Sequence, residues 1–302
     1  MQLSQQTNNI SHLELLAKQA VEGFIIGLHK SPFHGFSVEF AEHRLYNPGE
    51  PTKNIDWKVF ARTEKMFVKR YEEETNLRCQ IIIDASSSMN LVSDGEKKQS
   101  KLYFSVVAAA SIINLLQRQR DAAGLSIFSD NVIINTTARA GLQHRQMLFA
   151  HLESLLQNQP EKQKTNAAKC LHQIAESIHK RSMVIIFSDM FDGENEDDLF
   201  SALQHLKYNK HEVILFHVAD KQKELDFNFE NRPYKFVDLE SGEDLKLQPS
   251  EVKAFYLNHI NNFYTQLKLK CGQYKIEFVE ADTNSSYEKI LQTFLLKRTK
   301  MM

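Results

Sequence analysis

The chain has 302 residues, and its 37 Lys and Arg nearly balance its 38 Asp and Glu, giving a net charge of −1. With 42% hydrophobic and 25% charged residues, it has the composition of a globular protein rather than of a disordered tail or a fibre. The balanced charge excludes a global attraction to nucleic acid or anionic lipid. We therefore expect one large domain or two ordinary ones, with no nucleic-acid partner.

Cysteine usage and hydropathy predict a cytoplasmic protein. Cys79, Cys170 and Cys271 are widely separated and odd in number, which argues against a disulfide framework or a structural zinc site. The N-terminus lacks the basic and then apolar plan of a secretion signal. The longest apolar stretch lies within residues 106–116 and is too short to cross a bilayer of about 30 Å. We expect no membrane insertion.

The first region, residues 1–76, is predicted to hold an N-terminal helix and a small β-rich satellite unit. Residues 12–28 carry apolar side chains at helical spacing. Residues 36–40 alternate like a strand, residues 45–51 have the Pro and Gly of a turn, and residues 66–71 return to strand-like composition.

The middle region, residues 77–220, alternates short apolar runs with longer helical patterns. Such alternation is typical of a doubly wound α/β fold, in which helices cover both faces of a mostly parallel sheet. The helix at residues 101–118 is apolar nearly all round, so we expect it to pack deep in the domain. The predicted strands are residues 81–84, 123–128, 132–134, 183–187 and 213–218. Three further helices are marked by Leu148, Leu152 and Leu155, by Ala167, Leu171 and Ile174, and by Leu199, Leu203 and Leu206.

The last region, residues 221–302, is predicted to contribute to both units. A strand pair at residues 234–247 is expected to join the satellite unit. Residues 249–269 are predicted to form a helix, residues 274–279 a strand and residues 286–296 a final helix. This helix–strand–helix should complete the α/β layer.

An acid and two hydroxyls follow the first strand of the middle region. Asp84, Ser86 and Ser88 form an Asp-x-Ser-x-Ser sequence directly after the apolar residues 81–83. In an open α/β sheet, ligands bind at the carboxyl ends of the strands. A carboxylate and two hydroxyls on a tight loop are hard oxygen donors of the kind that Mg²⁺ prefers. Because hydroxyls are neutral ligands, such a site keeps a positive charge that attracts an anion.

Two more oxygen donors are expected at the same sheet edge. Thr165 precedes a helix, and Asp189 follows the apolar strand at residues 183–187. A single Thr before a helix is more often a cap, and an Asp at a strand end is often a turn residue. The joint occurrence of the donors nevertheless favours a magnesium site, with Mn²⁺ or Ca²⁺ as alternatives. The hypothesis requires that the donors meet at one edge and that no neighbouring ammonium fills their hollow.

The middle region resembles the von Willebrand factor A domain, whose metal-ion-dependent adhesion site uses Asp-x-Ser-x-Ser, a later Thr and a later Asp. The matching residues are Asp84, Ser86, Ser88, Thr165 and Asp189. The resemblance implies that these residues bind Mg²⁺, which captures a carboxylate of a protein partner.

The chain departs from that pattern at two places. Gln163 and Lys164 stand where related proteins often have Gly-Gly, and Lys164 brings a positive charge near the expected cation. Met190 and Phe191 follow the acid where Gly is common, and we expect them to form an apolar rim for a partner.

The preceding stretch narrows the resemblance to one bacterial family. The runs Asn54-Ile-Asp-Trp-Lys58, Ala61-Arg62 and Val68-Lys-Arg-Tyr71 are similar to the fifty-eighth family in the domain-of-unknown-function series. Its members are typically associated with MoxR-type AAA+ ATPases. The resemblance implies a non-catalytic adaptor that binds a MoxR-type ATPase or its client.

Two other functions stay open. Haloacid-dehalogenase-like phosphohydrolases also place an Asp at the end of a first strand and bind Mg²⁺, but they need a second acid two positions later. That position is Ser86, which disfavours hydrolysis. The other alternative is a scaffold whose metal site is degenerate. No His motif, phosphate-binding Gly-rich motif or nucleophile elbow assigns a catalytic residue.

Overall fold

A computed structural model describes residues 11–25, 43–46, 57–69, 77–90, 100–157, 166–191, 196–237 and 244–301. Contacts divide the chain into a smaller unit, residues 34–77, and a larger unit that combines residues 1–33 with residues 78–302. In the smaller unit, strands β1 (His43–Leu45) and β2 (Phe67–Lys69) pair antiparallel, and helix α2 (Trp57–Thr63) lies between them in the sequence. The strand predicted at residues 36–40 lies outside the described residues.

The larger unit is built on a six-stranded sheet. Its strands are β3 (Arg78–Asp84), β4 (Ala122–Phe128), β5 (Val132–Asn135), β6 (Met183–Ser188), β7 (Glu212–Ala219) and β10 (Glu277–Asp282). The strand order is β10-β7-β6-β3-β4-β5. Neighbouring strands are parallel except for β5, which runs antiparallel to β4. The predicted doubly wound, mostly parallel α/β fold is confirmed.

Helices cover both faces of this sheet. They are α1 (His12–Ile25), α3 (Lys101–Arg118), α4 (Leu142–Gln157), α5 (Ala167–Ser177), α6 (Glu196–Tyr208), α7 (Pro249–Gln273) and α8 (Tyr287–Met301). Helix α3 packs with α1, α4 and α8, whereas residues of α5, α6 and α7 share a core cluster with Ile82 and Val184. No described helix combines the length and hydrophobicity that a membrane crossing requires.

The two central strands each carry a continuous apolar run because both of their faces are covered. Ile81, Ile82 and Ile83 of β3 are fully buried, and β6 is buried throughout. Helix α3 was predicted with the same ends that it has in the structure. Ser100 caps it by accepting a hydrogen bond from the Tyr103 N–H at 3.0 Å, and its buried residues extend almost to its C-terminal end.

The structure assigns α1, which the prediction gave to neither unit, and two details of the C-terminal region differ from the prediction. Helix α1 belongs to the larger unit because its apolar stripe packs on α3. The strands β8 (Tyr234–Val237) and β9 (Asp244–Leu247) also belong to the larger unit, where Phe227 stacks on Phe236 and contacts Tyr256 of α7. Strand β10 starts three positions late, since Lys275 adopts a left-handed conformation (φ 56°) that ends α7. It pairs with β7 and completes the layer as expected.

Candidate metal site

The predicted acids meet at the topological switch point of the sheet. Strand β3 has β4 on one side and β6 on the other, so the strand order reverses there. In open α/β sheets, the crevice outside the carboxyl ends of such strands is where ligands bind. Asp84 ends β3, Ser188 ends β6, and Asp189 follows directly. The topology therefore joins residues that lie about a third of the chain apart.

Asp84 is buried and held by hydrogen bonds at both carboxylate oxygens. Its Oδ1 accepts from the Ser86 N–H at 2.9 Å, and its Oδ2 accepts from the Ser188 hydroxyl at 2.6 Å. Burial, and then the charge of Asp189, raises the pKa of Asp84 to about 6, although these hydrogen bonds act to lower it. Hydrogen bonds thus fix the position of the carboxylate, but they do not offset the cost of its buried negative charge.

The two serine hydroxyls join the acids into one group. The Oγ atoms of Ser86 and Ser88 lie 3.1 Å apart, and the Ser88 hydroxyl is near enough to Asp189 to help lower the pKa of that carboxyl. Ser88 is half-buried at the start of a 3-10 turn, whereas Ser86 is buried. Four of the predicted donors therefore lie together: Asp84, Ser86, Ser88 and Asp189.

The fifth predicted donor, Thr165, lies outside the described residues, as does Lys164. The neighbouring Asn166 is described, and it caps α5 by accepting a hydrogen bond from the Lys169 N–H at 2.9 Å. This cap is the ordinary structural role of a polar residue before a helix.

A lysine that was not assigned to the site lies beside Asp189. The Nζ of Lys101, a residue that is 3% exposed, donates to Asp189 Oδ2 at 2.7 Å and to Glu224 Oε1 at 2.5 Å. Burial opposes the charge on both Lys101 and Asp189, but their mutual attraction outweighs it. The pKa of Asp189 is therefore lowered and the pKa of Lys101 is raised.

The backbone orients the carboxylate of Glu224 that faces this lysine. Glu224 lies on a single π-helical turn, Lys221–Leu225, and its Oε2 accepts from the Asp220 N–H at 2.9 Å. Asp220 in turn accepts from the Asn284 side chain at 2.8 Å, which ties the turn to the end of β10. Burial raises the pKa of Glu224 despite the nearby ammonium.

The requirement that no ammonium fill the hollow between the donors fails at Asp189, which binds Lys101. The oxygen donors gathered here are nevertheless of the kind that a divalent cation takes. Two carboxylates, of Asp189 and Glu224, bind one ammonium, and the charge of Asp189 also acts on the buried Asp84 carboxylate, so negative charge is in excess. The hydrogen bonds of Lys101 go to Asp189 and Glu224 rather than to Asp84. Excess buried charge is costly, and a divalent cation would offset it. Since no group of three or more His, Cys, Asp or Glu in the described chain could hold a metal, a cation here depends on serine hydroxyls.

Only one of the two residues expected at the rim lies there. Met190 is 1% exposed, packs in the core and adopts a left-handed conformation (φ 55°). Phe191 is 49% exposed, and its ring meets Phe263 edge-on at 6.3 Å. Its N–H donates to Asp189 Oδ1 at 3.1 Å, so an exposed aromatic ring stands directly beside the candidate site.

Sequence reasoning missed Lys101, Ser188 and Glu224. Lys101 carried a usable signal, because it is a charge at the start of a helix that is otherwise apolar nearly all round. Ser188 lies at a strand end beside a predicted ligand, which was a weaker signal. Nothing local marks Glu224, which lies 123 positions from Lys101.

The fold and this edge define a doubly wound α/β protein with an acid-and-hydroxyl site at its switch point. The family model described as "Protein of unknown function DUF58" matches residues 42–258, and the chain belongs to that family.

Relatives are found in mycobacteria. Uncharacterized proteins of Mycobacterium bovis and Mycobacterium tuberculosis are 27% identical over 208 residues, a match that covers 69% of this chain and 63% of theirs. The match thus spans less than two thirds of these relatives' length.

Two solved structures are also similar. The conserved hypothetical protein BatB from Bacteroides thetaiotaomicron is 15% identical with a TM-score of 0.46, and the match covers 74% of this chain and 100% of that chain. An aerotolerance-related membrane protein from Bacteroides fragilis is 13% identical with a TM-score of 0.43, covering 75% and 100%.

Proposed function

We propose that the chain is a non-catalytic, metal-dependent protein-binding module. The observation that carries the proposal is the connected group of Asp84, Ser86, Ser88 and Asp189 at the switch point, with negative charge in excess. The resemblance to the von Willebrand factor A domain supports an adhesion-type site, to which Thr165 would add a further hydroxyl.

Each side chain has a distinct role in this proposal. Ser86 and Ser88 hold the cation through neutral oxygens, and Asp84 and Asp189 contribute directly or through water. Ser188 keeps Asp84 oriented through its 2.6 Å hydrogen bond. Mg²⁺, when bound by these residues, would supply the positive charge that attracts an Asp or Glu of the partner. Phe191 offers an apolar surface beside that position.

The partner we propose is a MoxR-type AAA+ ATPase or a client that it remodels. This assignment follows from the family resemblance, and the chemistry of the site adds that the partner presents a carboxylate. A reducing cytoplasm suits the three buried free cysteines.

Capture of a purified MoxR-type ATPase from the same genome tests the proposal. The wild-type chain should retain the ATPase in Mg²⁺ and release it in EDTA. Ser86→Ala/Ser88→Ala removes the hydroxyl pair, keeps both residues of the Lys101–Asp189 ion pair and should abolish capture. Ser111→Ala is the matched control, because Ser111 is a buried serine of α3 away from the site. Equal capture in EDTA would contradict the metal-dependent role.

A phosphohydrolase is the less favoured function. Ser86 occupies the position where the second acid is needed, and Asp84 is 2% exposed with both oxygens hydrogen-bonded. A nucleophile so enclosed is poorly placed to attack phosphorus. Turnover of a generic phosphate ester that is lost in Asp84→Asn would reverse this order.

A further inference from the structure

The ammonium of Lys101 is shared between two carboxylates that differ in role. Asp189 belongs to the candidate metal site, whereas Glu224 lies on the separate π-helical turn. Lys101 is the first residue of α3, so its backbone is fixed by the helix and by the Ser100 cap. Its flexible side chain can shift its charge between the two acids without moving the backbone.

A divalent cation beside Asp84, Ser86 and Ser88 would also draw on Asp189. The ammonium and the cation carry like charge, so they repel each other when both lie close to that carboxylate. Glu224 remains available to the ammonium, because the Asp220 N–H holds its second oxygen independently of Asp189.

We propose that Lys101 competes with the divalent cation for Asp189, and that Glu224 holds the ammonium while the cation is bound. Lys101 and Glu224 are thus positioning residues with opposite effects on the affinity of the site. The inference rests on the proposed function, because it concerns the same cation. It adds that the affinity of the site for the divalent cation is set in part by the Lys101 ammonium.

The two residues give opposite predictions for magnesium affinity. Lys101→Met removes the competing charge and should tighten the Kd by about tenfold or more. Even at the permittivity of water, a unit and a divalent charge about 5 Å apart repel strongly enough for such a change. Glu224→Gln removes the alternative partner, keeps the shape of the side chain and should weaken the Kd by roughly threefold or more.

Titration calorimetry of the full chain with Mg²⁺ tests this in a four-protein cycle. The proteins are the wild type, Lys101→Met, Glu224→Gln and the double variant. If Glu224 acts through Lys101, Glu224→Gln should change the Kd by less than about twofold in the Lys101→Met background. Thermal unfolding without metal checks that each variant is folded. If Lys101→Met alone does not fold, comparing the double variant with Glu224→Gln gives the same test, with tightening again expected.

The outcomes separate this inference from the proposed function. Magnesium binding by the wild type with an unchanged or weaker Kd in Lys101→Met overturns the inference and leaves the function standing. An effect of Glu224→Gln that is equally large in both backgrounds also overturns it, since Glu224 then acts on the cation directly. Binding only by variants that lack the lysine supports the competition and overturns the function of the native chain. An absence of binding in all four proteins overturns both.

Discussion

Removal of the Ser188 hydroxyl should destabilise the larger unit far more than removal of an equally buried hydroxyl elsewhere. Ser188 is fully buried, donates to Asp84 Oδ2 at 2.6 Å and accepts from the Met190 N–H at 2.8 Å. In Ser188→Ala, Asp84 loses a hydrogen bond to a charged group, which is worth about 1.5–3 kcal/mol. The Met190 N–H also loses its acceptor, and an unsatisfied buried donor costs about 1–3 kcal/mol.

Together these losses predict a decrease of about 2.5–6 kcal/mol in the free energy of unfolding. The control is Ser111→Ala in α3, where the hydroxyl donates to the Val107 carbonyl at 2.8 Å. That carbonyl is also an acceptor for the helix backbone, and Ala has the higher helix propensity, so the change should stay within about 0.5 kcal/mol.

Urea unfolding followed by far-UV circular dichroism measures both variants against the wild type. Tryptophan fluorescence is unsuitable, because Trp57 is the single Trp and belongs to the smaller unit. Equal free energies of unfolding for Ser188→Ala and Ser111→Ala would refute the view that Ser188 holds the Asp84 carboxylate.

Three further predictions concern parts of the larger unit away from the hydroxyl pair. Gly124→Ala should lower the unfolding temperature, since a Cβ there would lie 2.8 Å from two backbone atoms. A Cβ at Gly272 in α7 would meet nothing within 4 Å, so Gly272→Ala should raise the free energy of unfolding by about 0.5–1 kcal/mol. Equal shifts of the unfolding temperature in the two variants would contradict this prediction. Burial lowers the pKa of His211, whose ring accepts a hydrogen bond from the Ser182 N–H. The neutral ring therefore contributes to the free energy of unfolding above pH 6.5, the pKa of His in the unfolded chain, and this contribution is lost as the pH falls below that value. His211→Asn should therefore flatten the fall in urea stability from pH 7 to pH 5, and an unchanged slope would argue against it. Burial raises the pKa of Cys271 to about 12, so this thiol should resist iodoacetamide at pH 8 until the chain unfolds, as mass spectrometry of the labelled protein can check.

The sequence predicts the fold where burial dictates the pattern. Helix α3 and strand β6 are covered on every side, so their apolar runs mark both ends to within a residue. The apolar run of β3 marks its C-terminal end, but the strand begins three positions earlier than predicted, at Arg78, because Arg78 and Gln80 interrupt the apolar pattern. The start of β10 could not be predicted as closely, because the turn that ends α7 depends on a left-handed conformation of Lys275. A lysine gives no sequence signal for that conformation.

The candidate site could be predicted only in part. Asp84 and Asp189 follow apolar strands, and the doubly wound topology brings strand ends to one edge, so their meeting could be expected. The ion pairs of Lys101 depend on where the turn after β7 directs Glu224, which is a tertiary feature with no local sequence signature. The same limit applies to α1, whose membership of the larger unit follows from its packing on α3.

A divalent cation at the carboxyl ends of β3 and β6 can be located directly by anomalous diffraction from crystals soaked in Mn²⁺. We predict one peak at roughly 2.1 Å from both Ser86 Oγ and Ser88 Oγ, the distance expected for hard oxygen ligands. Crystals of Ser86→Ala/Ser88→Ala should lack this peak. A wild-type map without a peak at this edge, or with the ion bound by other residues, would contradict a cation site formed by these serines.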